Sequence, residues 1–282
     1  MKNDKEKIIA IDLGGTLLRV ALIENKKIKT LIKKNTPKNK EQLKKELQKS
    51  VSQILKKEKN VRGIGISSAG PLKKGVITNP PNLDFKNFDL RKSLKKFNLE
   101  IIIENDANCA ALAEAKLGIK KKNFILLTLG TGIGGGIIID NKVYPGRENA
   151  GEVGHIILDN GKTFEELIGG KRIKEITKKI YGKELLVKHL IKRKDKKSKE
   201  ILKEIEKYLG QGIGSLINIF DPERIILTGG FREGGKKLLK GIKEETKNNI
   251  KIPHKADLKW SKLKEPGILG ASLLFEKNID KN

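Results

Sequence analysis

The stretch Ile8-Ile9-Ala10-Ile11-Asp12-Leu13-Gly14-Gly15-Thr16-Leu17-Leu18-Arg19-Val20-Ala21-Leu22-Ile23 decides the fold, because its order of elements returns later in the chain. Residues 8–11 read as a strand, 12–16 as a tight turn and 17–23 as a returning strand, with a further turn at Glu24-Asn25-Lys26. Phe124 to Leu129, the turn Gly130-Thr131-Gly132-Ile133-Gly134-Gly135, residues 136–139 and the turn Asp140-Asn141-Lys142 repeat that order. The chain is internally duplicated. Each hairpin leads into helical material: Leu43, Leu47, Val51 and Ile54 share one helical face, and so do Ile201, Ile205, Leu209, Leu216 and Phe220. Strands alternating with helices predict an α/β class.

Between the hairpins, residues 61–67 and 100–104 read as short buried strands. The second runs into Asn105-Asp106, with Asp106 placed as N-cap of an alanine-rich helix. Residues 224–227 read as a strand ending in Thr228-Gly229-Gly230, and 267–275 as a closing helix. The charge run 192–199 reads as a solvated loop. A lobe boundary is expected near residue 105.

A chain of 282 residues with 37% hydrophobic and 34% charged residues can bury a sizeable core, and fibrous, collagen-like and disordered classes are excluded. Met1 to Lys7 leads into an apolar run that Asp12 interrupts, so neither a signal peptide nor a spanning helix is drawn, and a cytoplasmic, membrane-free protein is expected. The single Cys109 allows no internal disulfide and no cysteine-based zinc site. Lys+Arg 61 against Asp+Glu 34 gives +27, which first suggests nucleic acid. Only eight of these cations are Arg, however, and aromatics are only 4%, a poor supply of bidentate forks and stacking platforms. A solvated lysine-rich surface without specific nucleic-acid binding is the expectation.

A glycine-rich turn between strands gathers backbone N–H groups into a concavity that suits a phosphate. Asp12-Leu13-Gly14-Gly15-Thr16 adds a carboxylate and a hydroxyl, fitting a hydrated Mg²⁺ beside a polyphosphate, although Gly-Gly is equally ordinary hairpin chemistry. Gly130, Gly132 and Gly135 match the dinucleotide fingerprint G-x-G-x-x-G, but a strand follows where that fingerprint needs a helix, so NAD is rejected. Asp106 at a strand-to-helix junction is either a plain cap or a catalytic carboxylate. Gly151-Glu152-Val153-Gly154-His155 offers an acceptor and a donor suited to sugar hydroxyls, or simply a surface loop with a structural histidine.

Taken in order, these segments resemble the ROK sugar kinases of the actin/hexokinase-like superfamily. Asp12 to Thr16 resembles the family's first phosphate motif and Glu104-Asn105-Asp106-Ala107-Asn108 its catalytic motif. Leu129 to Gly136 resembles the second phosphate motif, and Gly151 to His155 the sugar signature. Ile226-Leu227-Thr228-Gly229-Gly230 is similar to the adenosine strand and turn, and Gly267-Ile268-Leu269-Gly270-Ala271 to the closing helix. The resemblance implies two ribonuclease H-like α/β lobes with a cleft between them: a small lobe, 1–105, completed by a C-terminal helix 266–282, and a large lobe, 106–265. One departure stands out, since residues 156–165 lack the family's cysteine-rich zinc loop, and structural zinc is not expected.

By the same resemblance, Asp106 is the base that takes the proton of a sugar 6-hydroxyl. Gly70, Asn82, Asn105, Glu152, His155 and Glu165 contact the sugar, with Glu166 as alternative to Glu165. Asp12 organises Mg²⁺ through water. Gly14, Gly15, Thr16, Gly130, Thr131 and Gly132 hold the phosphates of ATP, and Gly229 and Gly230 pass its adenosine. The implied activity is ATP-dependent phosphorylation of a hexose, glucose first, by a homodimer. Alternatives are an N-acetylhexosamine kinase, polyphosphate as donor, or a sugar-sensing regulator. Regulators of the family carry a helix-turn-helix domain ahead of the first phosphate motif, which here begins after eleven residues.

Overall fold

The computed structural model describes residues 6–70, 72–78, 85–119 and 121–276. Two compact units emerge: Met1–Lys120 with Lys142–Ala150 and Leu263–Asn282, and Lys121–Asn141 with Gly151–Lys262.

In the first unit, five strands lie in the order Lys27–Asn35, Leu17–Glu24, Lys7–Leu13, Val61–Ser68, Glu100–Asn105. Lys7–Leu13 runs antiparallel to Leu17–Glu24 and parallel to Val61–Ser68, which is parallel in turn to Glu100–Asn105. The turn after Leu17–Glu24 puts both Asn25 and Lys26 at positive φ, the two-residue hairpin geometry that matches strand twist. Both sheet faces are covered, which explains the nearly unbroken apolar run of residues 8–11. On one face Ile9, Ile11, Leu18, Val20, Ile64 and Ile66 pack with Leu43, Leu47 and Val51 of helix Lys40–Leu55. On the other, small residues let helix Pro266–Leu273 approach: Ala10 and Ala21 pack with Ile268 and Ala271, and a Cβ on Gly65 would collide with the Ala271 carbonyl.

The second unit repeats the plan. Ile133–Ile139, Phe124–Leu129, Arg224–Thr228 and Asp257–Trp260 lie side by side in that order, the first pair antiparallel and the next two pairs parallel. The turn Asp140-Asn141 again has two positive φ angles. Helices Lys196–Phe220 and Gly235–Asn248 pack tightly because Gly210 and Gly214 face Glu245 and Asn249 at backbone distance.

Three expectations are corrected. The run 192–199 is not a loop throughout, since helix Lys196–Phe220 begins inside it. Asp195 caps that helix by accepting from the Ser198 N–H at 2.9 Å, and the Tyr181 hydroxyl donates to it at 2.7 Å. Those bonds hold the Asp195 carboxyl well below its ordinary range, the Tyr181 bond most. The N-cap of helix Asp106–Ala113 is Asn105, not Asp106, which occupies the first helical position. Finally, the first unit does not end at residue 105, because helix Asp106–Ala113 packs against Pro266–Leu273 and belongs with it. Asn82 lies outside the described residues.

Candidate active site

In the first unit, the predicted catalytic and phosphate residues gather at the carboxyl ends of the parallel strands, where chains leave a sheet and α/β proteins bind their ligands. The register sets Asp12 beside Ser67, Ser67 beside Glu104, and Ser68 beside Asn105. The Ser67 hydroxyl donates to Asp12 Oδ1 at 2.9 Å and the Arg19 guanidinium to Oδ2 at 2.8 Å. Arg19 also pairs with Glu265 at 2.7 Å. Burial pushes the Asp12 carboxyl up, against the opposing pull of Arg19 and Ser67.

With both oxygens occupied, Asp12 fits a metal through intervening water rather than by direct ligation. Among the described residues no group of three or more His, Cys, Asp or Glu side chains is placed to hold a metal ion. A Mg²⁺ would therefore rest on donor phosphates and water, its ordinary coordination in nucleotide sites, with Asp12 as outer carboxylate.

The corner between Glu100–Asn105 and Asp106–Ala113 is fixed by its own side chains. Asn105 Oδ1 accepts from the N–H groups of Ala107 at 2.8 Å and Asn108 at 3.2 Å. Asp106 Oδ1 accepts from the Ala107 N–H at 2.9 Å. Glu104 Oε1 accepts from the Asn105 N–H at 2.8 Å and from Asn108 Nδ2 at 3.1 Å. A carboxylate at the first turn of a helix is stabilised as the anion by the helix N-terminus, the form a general base needs.

In the first glycine turn, Gly14 donates to the Leu17 carbonyl at 3.1 Å. Gly70 has φ 94°, a left-handed conformation that glycine adopts without penalty, just past the Val61–Ser68 strand.

In the second unit, Glu165 lies against the Gly130–Gly132 turn and Gly154. Its Oε2 accepts from the Ile133 N–H at 2.7 Å, closing the Gly130-Thr131-Gly132 turn from below. A Cβ on Gly132 would strike this carboxylate, and one on Gly154 would strike the Ile133 carbonyl, so Gly154 and the turn pack backbone to backbone around it. Glu152 and His155 are exposed, with His155 Nε2 3.7 Å from Glu152 Oε2. Glu166 is otherwise engaged: its carboxylate accepts from the Thr163 N–H at 2.8 Å and hydroxyl at 2.9 Å, capping helix Phe164–Ile168. Those bonds, the backbone one foremost, hold its carboxyl below the ordinary value. Gly229 follows strand Arg224–Thr228 with φ 92°, and a Cβ there would meet the Leu129 carbonyl.

Two variants separate the structural and chemical parts of Glu165. Glu165→Gln keeps an oxygen for the Ile133 N–H and is expected to hold thermal stability while, on the sugar contact that the resemblance implies, raising the sugar KM about tenfold. Glu165→Ala also orphans that amide and is expected to cost a further ~1–3 kcal/mol of stability. Thermal melts with steady-state kinetics check both; an unchanged sugar KM in Glu165→Gln would remove this residue from the site.

Sequence reasoning missed Arg19, Thr36 and Lys38, and it quoted Glu104 in the catalytic motif without giving it a role of its own. Arg19 stands opposite Asp12 in the hairpin register, a cross-strand pairing readable once the turn is placed. Glu104 directly precedes the caps of a helix. Thr36 and Lys38 had no local signal, since they reach the glycine turn only through tertiary folding.

Duplicated sheets of this topology, with acidic residues at the ends of parallel strands and glycine turns between the antiparallel ones, define the actin-like ATPase fold. The chain belongs to the ROK family, whose profile matches residues 8–278. It is 30% identical to a glucokinase of Halalkalibacterium halodurans over 277 residues, 84% of each chain. It is also 30% identical over 256 residues to a xylose repressor of Caldicellulosiruptor bescii, covering 79% of this chain and 64% of that longer one. Among solved structures, a ROK family glucokinase from Streptomyces griseus in complex with glucose and AMPPNP superposes with TM-score 0.84 at 26% identity, over 95% of this chain and 98% of that one. No helix of the described residues is long and apolar enough to cross a membrane.

Proposed function

We propose that this chain is an ATP-dependent sugar kinase that phosphorylates the 6-hydroxyl of a hexose, with glucose as the first acceptor to test. The observation that carries the reading is Asp106, held by its own helix start at the carboxyl edge of the sheet that also carries Asp12.

In this reading Asp106 accepts the proton of the 6-hydroxyl as its oxygen attacks the γ-phosphorus, and later releases that proton to solvent. The bond from phosphorus to the bridging oxygen breaks and ADP leaves. The chain's part is positioning and charge stabilisation, as expected for phosphoryl transfer. Backbone amides of Gly15 and Thr16, and of Thr131 and Gly132, donate to phosphate oxygens, while Gly14 and Gly130 shape the turns by donating to the Leu17 and Gly132 carbonyls. Mg²⁺, when bound, spreads the charge of the β and γ phosphates, with Asp12 orienting its water shell. Gly229 and Gly230 let the adenosine pass close to the main chain. Asn105 Nδ2, which no described residue engages, donates to a sugar hydroxyl, and Glu152, Glu165 and His155 bond to others, with Gly70 offering its backbone.

The similarity to a xylose repressor favours a second reading, in which the same residues sense a sugar without transferring phosphate. A coupled ADP-release assay decides, run over glucose, mannose, xylose and N-acetylated hexosamines with ATP and then with polyphosphate. The expected result is ATP-dependent turnover with glucose. Sugar binding without ADP release would favour the sensor, and turnover with polyphosphate alone would overturn the donor.

A further inference from the structure

The two glycine turns share a device that neither motif contains: all their carbonyl oxygens are taken. In the second turn, Gly130 O accepts from the Gly170 N–H, Thr131 O from the Lys171 N–H and Gly132 O from the Gly130 N–H, each at 3.0 Å. The first amides of helix Gly170–Tyr181 thus occupy the turn's acceptor side. In the first turn the same task falls to the three-residue segment Thr36-Pro37-Lys38. The Thr36 hydroxyl donates to Gly14 O at 2.6 Å, the Lys38 ammonium to Gly15 O at 2.9 Å, and the Thr36 N–H to Thr16 O at 2.9 Å. Among the described residues, the amides of Gly15, Thr16, Thr131 and Gly132 donate to no protein acceptor.

This arrangement has a physical consequence. A glycine turn can rotate its peptide planes, and a carbonyl facing a phosphate repels it. Fixing each carbonyl to a donor on one side leaves the N–H groups to face the other, which is what an anion site requires. The Thr36–Lys38 segment is itself held at both ends. Asn35 pairs with Leu17 at the end of strand Lys27–Asn35, and Asn39 caps helix Lys40–Leu55 by accepting from the Glu41 N–H at 2.9 Å. Proline between the two donors fixes one backbone angle. Thr36 is buried and Lys38 exposed, so the second also brings a positive charge to the edge of the turn.

We propose that Thr36 and Lys38 are positioning residues of the phosphate-donor site, holding the acceptor side of Gly14–Thr16 so that its amides face the donor's phosphates. The inference rests on the kinase reading above, and its test separates the two. Isothermal titration of the full chain with AMPPNP and Mg²⁺ reads donor affinity without turnover. Thr36→Val is expected to weaken Kd about tenfold and to raise the KM for ATP by the same factor, with the KM for glucose unchanged. Thr36→Ser, which keeps the hydroxyl, is expected within about twofold of wild type. Lys38→Ala is expected to weaken Kd about threefold with no loss of melting temperature, and it decides by the same criterion if Thr36→Val melts too low to assay. Wild-type affinity in both Thr36→Val and Lys38→Ala would overturn this inference alone. Failure of the wild-type chain to bind AMPPNP would overturn the donor assignment and this inference with it.

Discussion

Asp106→Asn is expected to lower turnover by about 10²- to 10⁴-fold, the usual contribution of a positioned general base. The variant removes one charge and almost no volume. Its remaining side-chain oxygen can still accept from the Ala107 N–H that Asp106 Oδ1 now engages at 2.9 Å, and Asn105 goes on capping the helix. Loss of the favourable anion at the helix N-terminus is worth roughly 0.3–1 kcal/mol, too little to unfold the chain. Sugar affinity is expected to survive, because the predicted ring contacts lie on Asn105, Glu152, His155 and Glu165. A purified variant that retains turnover within threefold of wild type would remove Asp106 from the chemistry.

Gly270→Ala is expected to produce the largest loss of stability among single-methyl changes. A Cβ at Gly270 would stand inside van der Waals contact of the Cys109 carbonyl, where helices Pro266–Leu273 and Asp106–Ala113 meet. The clash is with main chain, so no rotamer change relieves it. Overpacking of a well-fitted core costs ~1–3 kcal/mol, occasionally more, and the upper end applies when only a backbone shift makes room. For a chain of this size the upper end corresponds to a melting temperature lowered by about 5 °C. Any shift of the Asp106 helix also moves the carboxylate, and ~1 Å of misplacement can cost about 10²-fold in rate. Thermal melts and residual turnover measured together check both effects, and a melting temperature within a degree of wild type would refute the close helix contact.

The duplication was legible because it rests on local chemistry. Two apolar strands joined by a glycine turn, followed by a two-residue turn of Asn or Asp with Lys or Asn, recur at residues 8–26 and 124–142, and the structure folds both alike. Helix Lys40–Leu55 was equally plain from Leu43, Leu47, Val51 and Ile54. The start of helix Lys196–Phe220 was hidden by charge: Lys192 to Lys199 reads as solvated, and only Asp195 three residues ahead of Ser198 betrays the cap. The choice between Asn105 and Asp106 as cap turns on one backbone step. Asn105 has ψ 146° and is still extended, a difference beneath the resolution of propensity.

Of the candidate site, the glycines and carboxylates could be named from the chain, but not what holds them. Glu165 and Glu166 are indistinguishable by type and position; the Thr163 cap separates them by engaging Glu166 and leaving Glu165 under the Gly130–Gly132 turn. The membership of helix Asp106–Ala113 depended on a contact with residues more than a hundred and fifty positions away. No reading of local pattern reaches that far.

The central claim is that a phosphoryl group passes from ATP to a sugar hydroxyl through Asp106. Incubation of the wild-type chain and Asp106→Asn with γ-labelled ATP, Mg²⁺ and glucose, followed by separation of the sugar phosphate, tests it directly. The account predicts label in glucose 6-phosphate for the wild-type chain and at least about a hundredfold less for the variant. Label that stays in ATP or appears only as inorganic phosphate with the wild-type chain, across glucose and the other sugars of the panel, would contradict it.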